Sequence, residues 1–269
     1  MNASSAATLR NGQSHPHHEA PEPSDGQRKF AYPGIPTTCD GAEAVVHAEV
    51  RISQGAGAYP ITSSTTMGGG FNAAVMNGLT NLWGESLVFF EPESEHSAAT
   101  FCEGFAAAGG RVTNFTSVQG LVLMKEVLYT IAGKRLPMVM NIGARALTSH
   151  SLNVHAGHDD LMSVADCGWG MLFGRNAQEA GDLCLIARRT AEATEKVRLT
   201  EPELMKTFIG APSERLINLM DPANPIMSGV VQNQDSYMKG KLAQRWYYDR
   251  VAPALRESFE LFYEQTGRR

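Results

Sequence analysis

From residue 38 onward, apolar positions recur in turn at the three-to-four-residue spacing of a helix face and in short runs of strand length. The spacing predicts a helix over 42–54 (AEAVVHAEVRISQ), stopped by Gly55. A short apolar piece follows at 58–61, a weakly helical stretch at 71–79 and an apolar run at 87–90. An Ala-rich segment predicts a helix over 95–108, ended by Gly109-Gly110. Then come a β-prone run at 112–116, a helix over 119–132 reaching Gly133, an apolar strand at 138–142 and a long helix over 177–193. Repeated strand–helix units imply an α/β fold, a parallel sheet flanked by helices and joined by right-handed crossovers. Ligands of such sheets lie beyond the carboxyl ends of the strands, which directs attention to the loops after residues 61, 90, 116 and 142.

Residues 1–37 break this pattern. They hold five of the 13 prolines and three of the eight histidines, with almost no aliphatic side chains to offset the entropy of ordering, so a flexible leader is expected. His15, His17 and His18 are read as part of that tail rather than as a metal site. The expected division is a leader at 1–37, an α/β domain at 38–194 and a C-terminal wrapping segment of the same domain at 195–269.

Composition then excludes several function classes. With 23 Lys+Arg against 28 Asp+Glu the net charge is −5, and no basic run is present, which speaks against a nucleic-acid partner. No apolar run approaches the roughly 20 residues that a bilayer requires, so no membrane association is expected. Cys39, Cys102, Cys167 and Cys184 lie far apart without a Cys-x-x-Cys pair, and read as reduced, mostly buried thiols of a cytoplasmic protein.

Three loops carry candidate chemistry. In 59–70 (YPITSSTTMGGG), Pro60 cannot donate to a sheet ladder, and the hydroxyls of 62–66 stand at a strand end, able either to bind a polar ligand or to satisfy the turn. Gly68-Gly69-Gly70 lacks the Gly-Lys-Ser/Thr of a phosphate loop. After 87–90, Glu91, Glu93 and Glu95 stand where a helix dipole favours carboxylates. Small residues following Glu95 would let a ligand approach and desolvate it, as acid–base chemistry requires. In 143–160 (GARALTSHSLNVHAGHDD), Arg145 follows a strand end, where a guanidinium usually meets a carboxylate, and His150, His155, His158, Asp159 and Asp160 match no metal-ligand spacing.

At these residues the chain resembles a known family. Asp40-Gly41, YPIT at 59–62, Ser94-Glu95, FTSVQGLVLM at 115–124, GARALTSHSLNVHAGHDD at 143–160 and GVVQNQDSY at 229–237 are similar, in order, to the N-terminal domain of the pyruvate:ferredoxin (flavodoxin) oxidoreductases, within the 2-oxoacid:acceptor oxidoreductases. The resemblance implies a thiamin diphosphate-binding fold of the pyrimidine type. It implies that Glu95 bonds the pyrimidine ring nitrogen, that Thr62 and Arg145 contact the 2-oxoacid, and that Pro60 lies against the cofactor. The diphosphate with Mg²⁺, coenzyme A and the iron–sulfur clusters are implied on partner domains or subunits, with ferredoxin or flavodoxin as acceptor and an oligomeric enzyme as the whole.

The sequence also departs from the resemblance. The family has a further apolar strand and an Asp-Gly-Phe loop where 188–205 (RRTAEATEKVRLTEPELM) runs directly onward, so one late strand is expected to be lacking. Ser63 stands for an expected proline, and His96-Ser97 for an expected Ala-Gly pair. Two readings follow: a pyrimidine-binding subunit or fragment of the oxidoreductase, or a catalytically inactive structural relative or remnant. Gln232, Asn233 and Tyr237 are candidates for a lateral contact with the site, and Trp246-Tyr247-Tyr248 for anchors.

Overall fold

Asp40 caps the first helix. Its carboxylate accepts from the Glu43 N–H at 2.8 Å while Glu43 accepts from the Asp40 N–H at 3.0 Å, a reciprocal pair that satisfies two otherwise orphaned donors of α1 (Gly41–Ile52). The computed structural model describes residues 30–192, 203–215 and 234–268. His15, His17, His18, Gln232, Asn233 and the side chain of Trp246 lie outside the described residues.

Four parallel strands follow in the spatial order β2-β1-β3-β4: β1 (Gly55–Ala58), β2 (Val88–Phe90), β3 (Val112–Thr116) and β4 (Val139–Ile142). The first strand lies earlier than its apolar pattern suggests, on Gly-Ala-Gly-Ala rather than at 58–61. Close packing explains the shift. A Cβ on Gly57 would fall 2.8 Å from Cys102 Sγ and 2.9 Å from the Ala98 carbonyl, so only glycine lets α3 (Glu95–Ala107) lie this near the strand.

The triple glycine serves the same purpose. It lies inside α2 (Thr65–Met76), which starts well before the expected residue 71, and a Cβ on Gly70 would meet Val46 Cγ2 at 2.9 Å. The segment expected as one helix at 119–132 is two, α4 (Val118–Leu123) and α5 (Lys125–Lys134), broken at Met124. After α6 (Asp159–Ser163), α7 (Ala177–Ala191) is capped by Asn176, whose side chain accepts from the Glu179 N–H at 2.9 Å. Three helices complete the described chain: α8 (Glu203–Ile209), α9 (Pro212–Arg215) and α10 (Gln234–Thr266).

Helices cover both faces of the sheet. Ile52, Phe71, Phe115, Phe208 and Phe262 belong to one core, and Val112, Leu121, Met124, Leu128 and Ile131 to the other. Among the described residues no strand lies beyond β4; most of the segment in which a late strand is expected to be lacking, 193–202, lies outside the described residues. Tyr247 and Tyr248, edge-to-face at 5.6 Å, border a cavity of about 770 Å³ beside β4. Tyr237 is exposed, with the Lys241 ammonium 5.4 Å above its ring. Residues 30–34, from the segment expected as a leader, lie against the end of α10: the Tyr32 N–H donates to the Gln265 carbonyl at 2.9 Å, and Arg268 donates to the Pro33 carbonyl at 3.1 Å. No helix among the described residues is long and apolar enough to cross a membrane.

Four charges with no solvent exposure meet near the amino ends of the strands. Arg111, just before β3, grips Glu192 through Nε at 2.8 Å and Nη2 at 2.7 Å, and also donates to the Gly210 carbonyl at 2.8 Å. Arg188 lies 3.5 Å from Glu49 and 3.7 Å from Glu192, and donates to the Val112 carbonyl at 2.9 Å. Glu49 accepts from Ser53 Oγ at 2.6 Å and from Asn141 Nδ2 at 2.9 Å. Burial lowers the pKa of Arg111, and the adjacent Glu192 carboxylate works against that shift.

Removing one member leaves a buried charge without its counter-ion. Glu192→Ala is therefore expected to cost about 3–5 kcal/mol, read as a lower urea midpoint; a loss below about 1 kcal/mol would show that water reaches the site. Thiol accessibility gives a second check. Cys102, Cys167 and Cys184 are buried and Cys39 is exposed, and burial pushes the Cys102 thiol up to about 12. Native protein should react with a maleimide at Cys39 alone and at all four cysteines in denaturant; rapid native labelling of Cys102 would contradict this packing.

Candidate functional site at the carboxyl ends of the strands

The loops leaving the four strands meet at one end of the sheet. A Cβ on Gly143, directly after β4, would fall 2.6 Å from the Ser63 carbonyl, so glycine lets the loop after β1 touch the loop after β4. Arg145 donates from Nη1 to the Thr62 carbonyl at 3.1 Å and from Nε to the Asn153 carbonyl at 2.7 Å. Its backbone N–H donates to Asp160 Oδ2 at 3.1 Å. The same carboxylate accepts from the Val118 N–H at 3.0 Å and, through Oδ1, from the Leu161 N–H at 2.8 Å. Asp160 is fully buried and so clamps the starts of α4 and α6 to the β4 loop. Val118 has φ +49°, a costly value for a β-branched residue, and the clamp holds it there.

Of the three loop carboxylates, Glu95 differs from the others. Glu91 is exposed. Glu93 is exposed and accepts from the hydroxyls of Ser97 and Ser94, and the Ser97 bond holds its carboxyl below the usual range. Glu95 occupies the first turn of α3, beneath the Ser94 cap that accepts from the Ser97 N–H at 3.3 Å. It is only 9% exposed, and no group among the described residues donates to its carboxylate. A Cβ on Gly120 would lie 2.6 Å from Glu95 Cγ, 2.9 Å from Glu95 Oε1 and 2.7 Å from Thr116 Oγ1. Glycine at the start of α4 thus makes the hollow into which Glu95 folds. His96 is half-exposed, with Nε2 3.6 Å from the Glu126 carboxylate.

The guanidinium of Arg145 departs from the expected carboxylate pairing. It is buried with backbone carbonyls as partners, and no described carboxylate lies within ion-pair distance. Thr62 and Pro60 are exposed beside it. Ser63 takes φ +89°, a left-handed value that proline, fixed near −65°, cannot adopt. The structure therefore brings Thr62 and Arg145 into direct contact, sets Glu95 against Gly120 and Thr116, and joins the two groups through Asp160.

The histidine-rich loop forms no ligand cluster among the described residues. Asp160 is committed to backbone N–H groups, Asp159 accepts from the Leu147 N–H at 3.2 Å, and His158 packs edge-on to Phe173 at 5.4 Å. Asp160, named without a role, and Gly120 and Thr116, which lie unremarked in the 115–124 motif, are the residues whose part in the site only the structure shows. An isolated glycine in a helical pattern was the one signal pointing to Gly120.

The family described as "Pyruvate flavodoxin/ferredoxin oxidoreductase, thiamine diP-bdg" matches residues 43–200. The "Pyruvate:ferredoxin oxidoreductase" of Moorella thermoacetica is 32% identical over 250 residues, covering 86% of this chain and 21% of that protein. The mitochondrial "Pyruvate dehydrogenase [NADP(+)]" of Euglena gracilis is 30% identical over 248 residues, covering 85% of this chain and 14% of that protein. The chain thus spans about a fifth or less of the length of these relatives. Among solved structures, the 2-oxoglutarate:ferredoxin oxidoreductase of Magnetococcus marinus shares the fold with a TM-score of 0.50 and 22% identity, covering 58% of this chain and 27% of that one.

The Asp160 clamp generates a stability prediction. Asp160→Ala leaves three N–H donors without their charged acceptor and is expected to cost about 3 kcal/mol. Hydrogen exchange at Val118, Arg145 and Leu161 should rise with it. Unchanged protection at those amides would show that the clamp does not hold the loops.

Proposed function

The chain belongs to the pyruvate flavodoxin/ferredoxin oxidoreductase family of thiamine diphosphate-binding domains, and from that membership we propose that it is the pyrimidine-binding part of an enzyme that oxidatively decarboxylates a 2-oxoacid, pyruvate being the family's commonest substrate. One observation carries the proposal: Glu95 is a buried carboxylate with no donor among the described residues, folded against Gly120 where any side chain would collide with it. Such a group fits a ring that brings its own N–H.

The residues have separable tasks in this reading. Glu95 holds the proton at N1′ of the pyrimidine, the low-dielectric setting and the α3 dipole fixing its position. Thiamin diphosphate, when bound, supplies the carbon nucleophile and the electron sink. Arg145, which has only carbonyl partners among the described residues, takes the carboxylate of the 2-oxoacid through its remaining N–H groups. Thr62 meets the oxo acid beside it, and Pro60 lines the cofactor. The substrate loses its carboxyl group as CO2, its acyl group passes to coenzyme A, and two electrons leave for ferredoxin or flavodoxin. The diphosphate and Mg²⁺, coenzyme A and the iron–sulfur clusters belong to partner domains, because this chain has no Gly-Asp-Gly and no Cys-x-x-Cys.

A second reading, a non-catalytic structural relative, draws support from Ser63. A φ of +89° shapes the Thr62 loop in a way a proline-bearing loop cannot copy. One experiment separates the two. With the chain assembled with its partner domains, Glu95→Gln should lower 2-oxoacid-dependent reduction of the acceptor by on the order of 100-fold or more, with an unchanged unfolding midpoint. Activity that Glu95→Gln leaves intact, or no activity in any assembly, would favour the structural reading.

A further inference from the structure

Thr116 closes β3 and is fully buried, yet its hydroxyl oxygen has no hydrogen-bond partner among the described residues. Neighbouring hydroxyls are engaged: Ser117 donates to the Gly143 carbonyl at 2.5 Å, and Thr113 to the Val139 carbonyl at 3.1 Å. A buried hydroxyl left unpaired costs free energy that valine, of the same shape, avoids. The unpaired oxygen also has a distinct location. The point where a Gly120 Cβ would sit is 2.7 Å from Thr116 Oγ1 and 2.9 Å from Glu95 Oε1, so both oxygens border one small hollow. Two buried polar groups from different elements, neither with a hydrogen-bond partner among the described residues, thus lie beside one another.

We infer that Thr116 is a second polar contact in the Glu95 pocket, its hydroxyl hydrogen-bonding the edge of the heteroaromatic ring whose N–H is held by Glu95. Gly120, having no Cβ, is what lets the Glu95 and Thr116 side chains lie together at this point. This inference rests on the proposed reading of Glu95 and adds to it a residue that neither the motifs nor the family resemblance singled out. Gly120→Ala would fill the hollow directly, whereas Thr116→Val changes only the hydroxyl. The valine variant is therefore the sharper probe.

The test uses the chain assembled with its partner domains, with thiamin diphosphate and Mg²⁺ titrated at millimolar concentration and followed by ligand-detected proton NMR, alongside thermal unfolding without ligand. Thr116→Val should unfold at the same or a higher temperature than the parent, because it removes an unpaired buried hydroxyl, and should bind on the order of 10-fold more weakly. Thr116→Ser should retain the parent affinity. Glu95→Gln should also weaken binding, which keeps the two claims apart. If Glu95→Gln binds weakly while Thr116→Val binds like the parent, Thr116 is not a contact and the reading of Glu95 stands. If Thr116→Val loses stability in proportion to affinity, the residue is packing and the inference fails. If parent and Glu95→Gln give the same result, whether binding or none, the Glu95 reading fails and takes this inference with it.

Discussion

A neutral set of four buried charges anchors this domain. Arg111 and Arg188 on one side, and Glu49 and Glu192 on the other, have no exposed side-chain surface, so no member can be removed without stranding another. Through them α1, the entry to β3, the middle of β4, α7 and the residue after α8 are fixed to one another near the amino ends of the strands. The geometry is imperfect: Nε and Nη1 of Arg188 lack hydrogen-bond partners. An apolar replacement of the whole set would do the same for stability, but single losses would not. The network therefore acts chiefly as a registration device, and it does so at the end of the sheet away from the ligand loops.

The carboxyl ends are organised differently. There a single carboxylate, Asp160, joins loops by accepting backbone N–H groups, and glycine at residues 120 and 143 allows close approach where a Cβ would collide. This economy leaves other polar groups uncommitted. Among the described residues Glu95 and Thr116 are buried without hydrogen-bond partners, and the Arg145 side chain has only backbone carbonyls as partners. A rigid end and an end with free bonding capacity are thus separated by one sheet, the second at the carboxyl ends of the strands, where α/β sheets take their ligands.

Family membership gives this arrangement its scale. The chain spans 21% of one relative and 14% of another. The name of the first specifies ferredoxin and that of the second NADP(+), at nearly equal identity to this chain. The residues described here are thus a part common to enzymes named for different acceptors, consistent with acceptor choice residing elsewhere in the longer proteins.

Local patterns alone determined the alternation of helix and strand, the strands at 112–116 and 138–142, and the position of Glu95 at the start of a helix, because each is encoded within a few residues. Motif order was enough for the family. Only the tertiary structure moved β1 onto Gly-Ala-Gly-Ala and turned the triple glycine into a helix-packing surface, since both depend on helices that come close from elsewhere in the chain. It also gave Asp160, which matched no metal-ligand spacing, its part as a clamp, and placed Thr116 beside Glu95. Arg111 and Glu192 are 81 residues apart, and Asp160 and Val118 are 42 apart. No periodicity reports such partners, because burial and pairing are properties of the assembled sheet and not of any local segment.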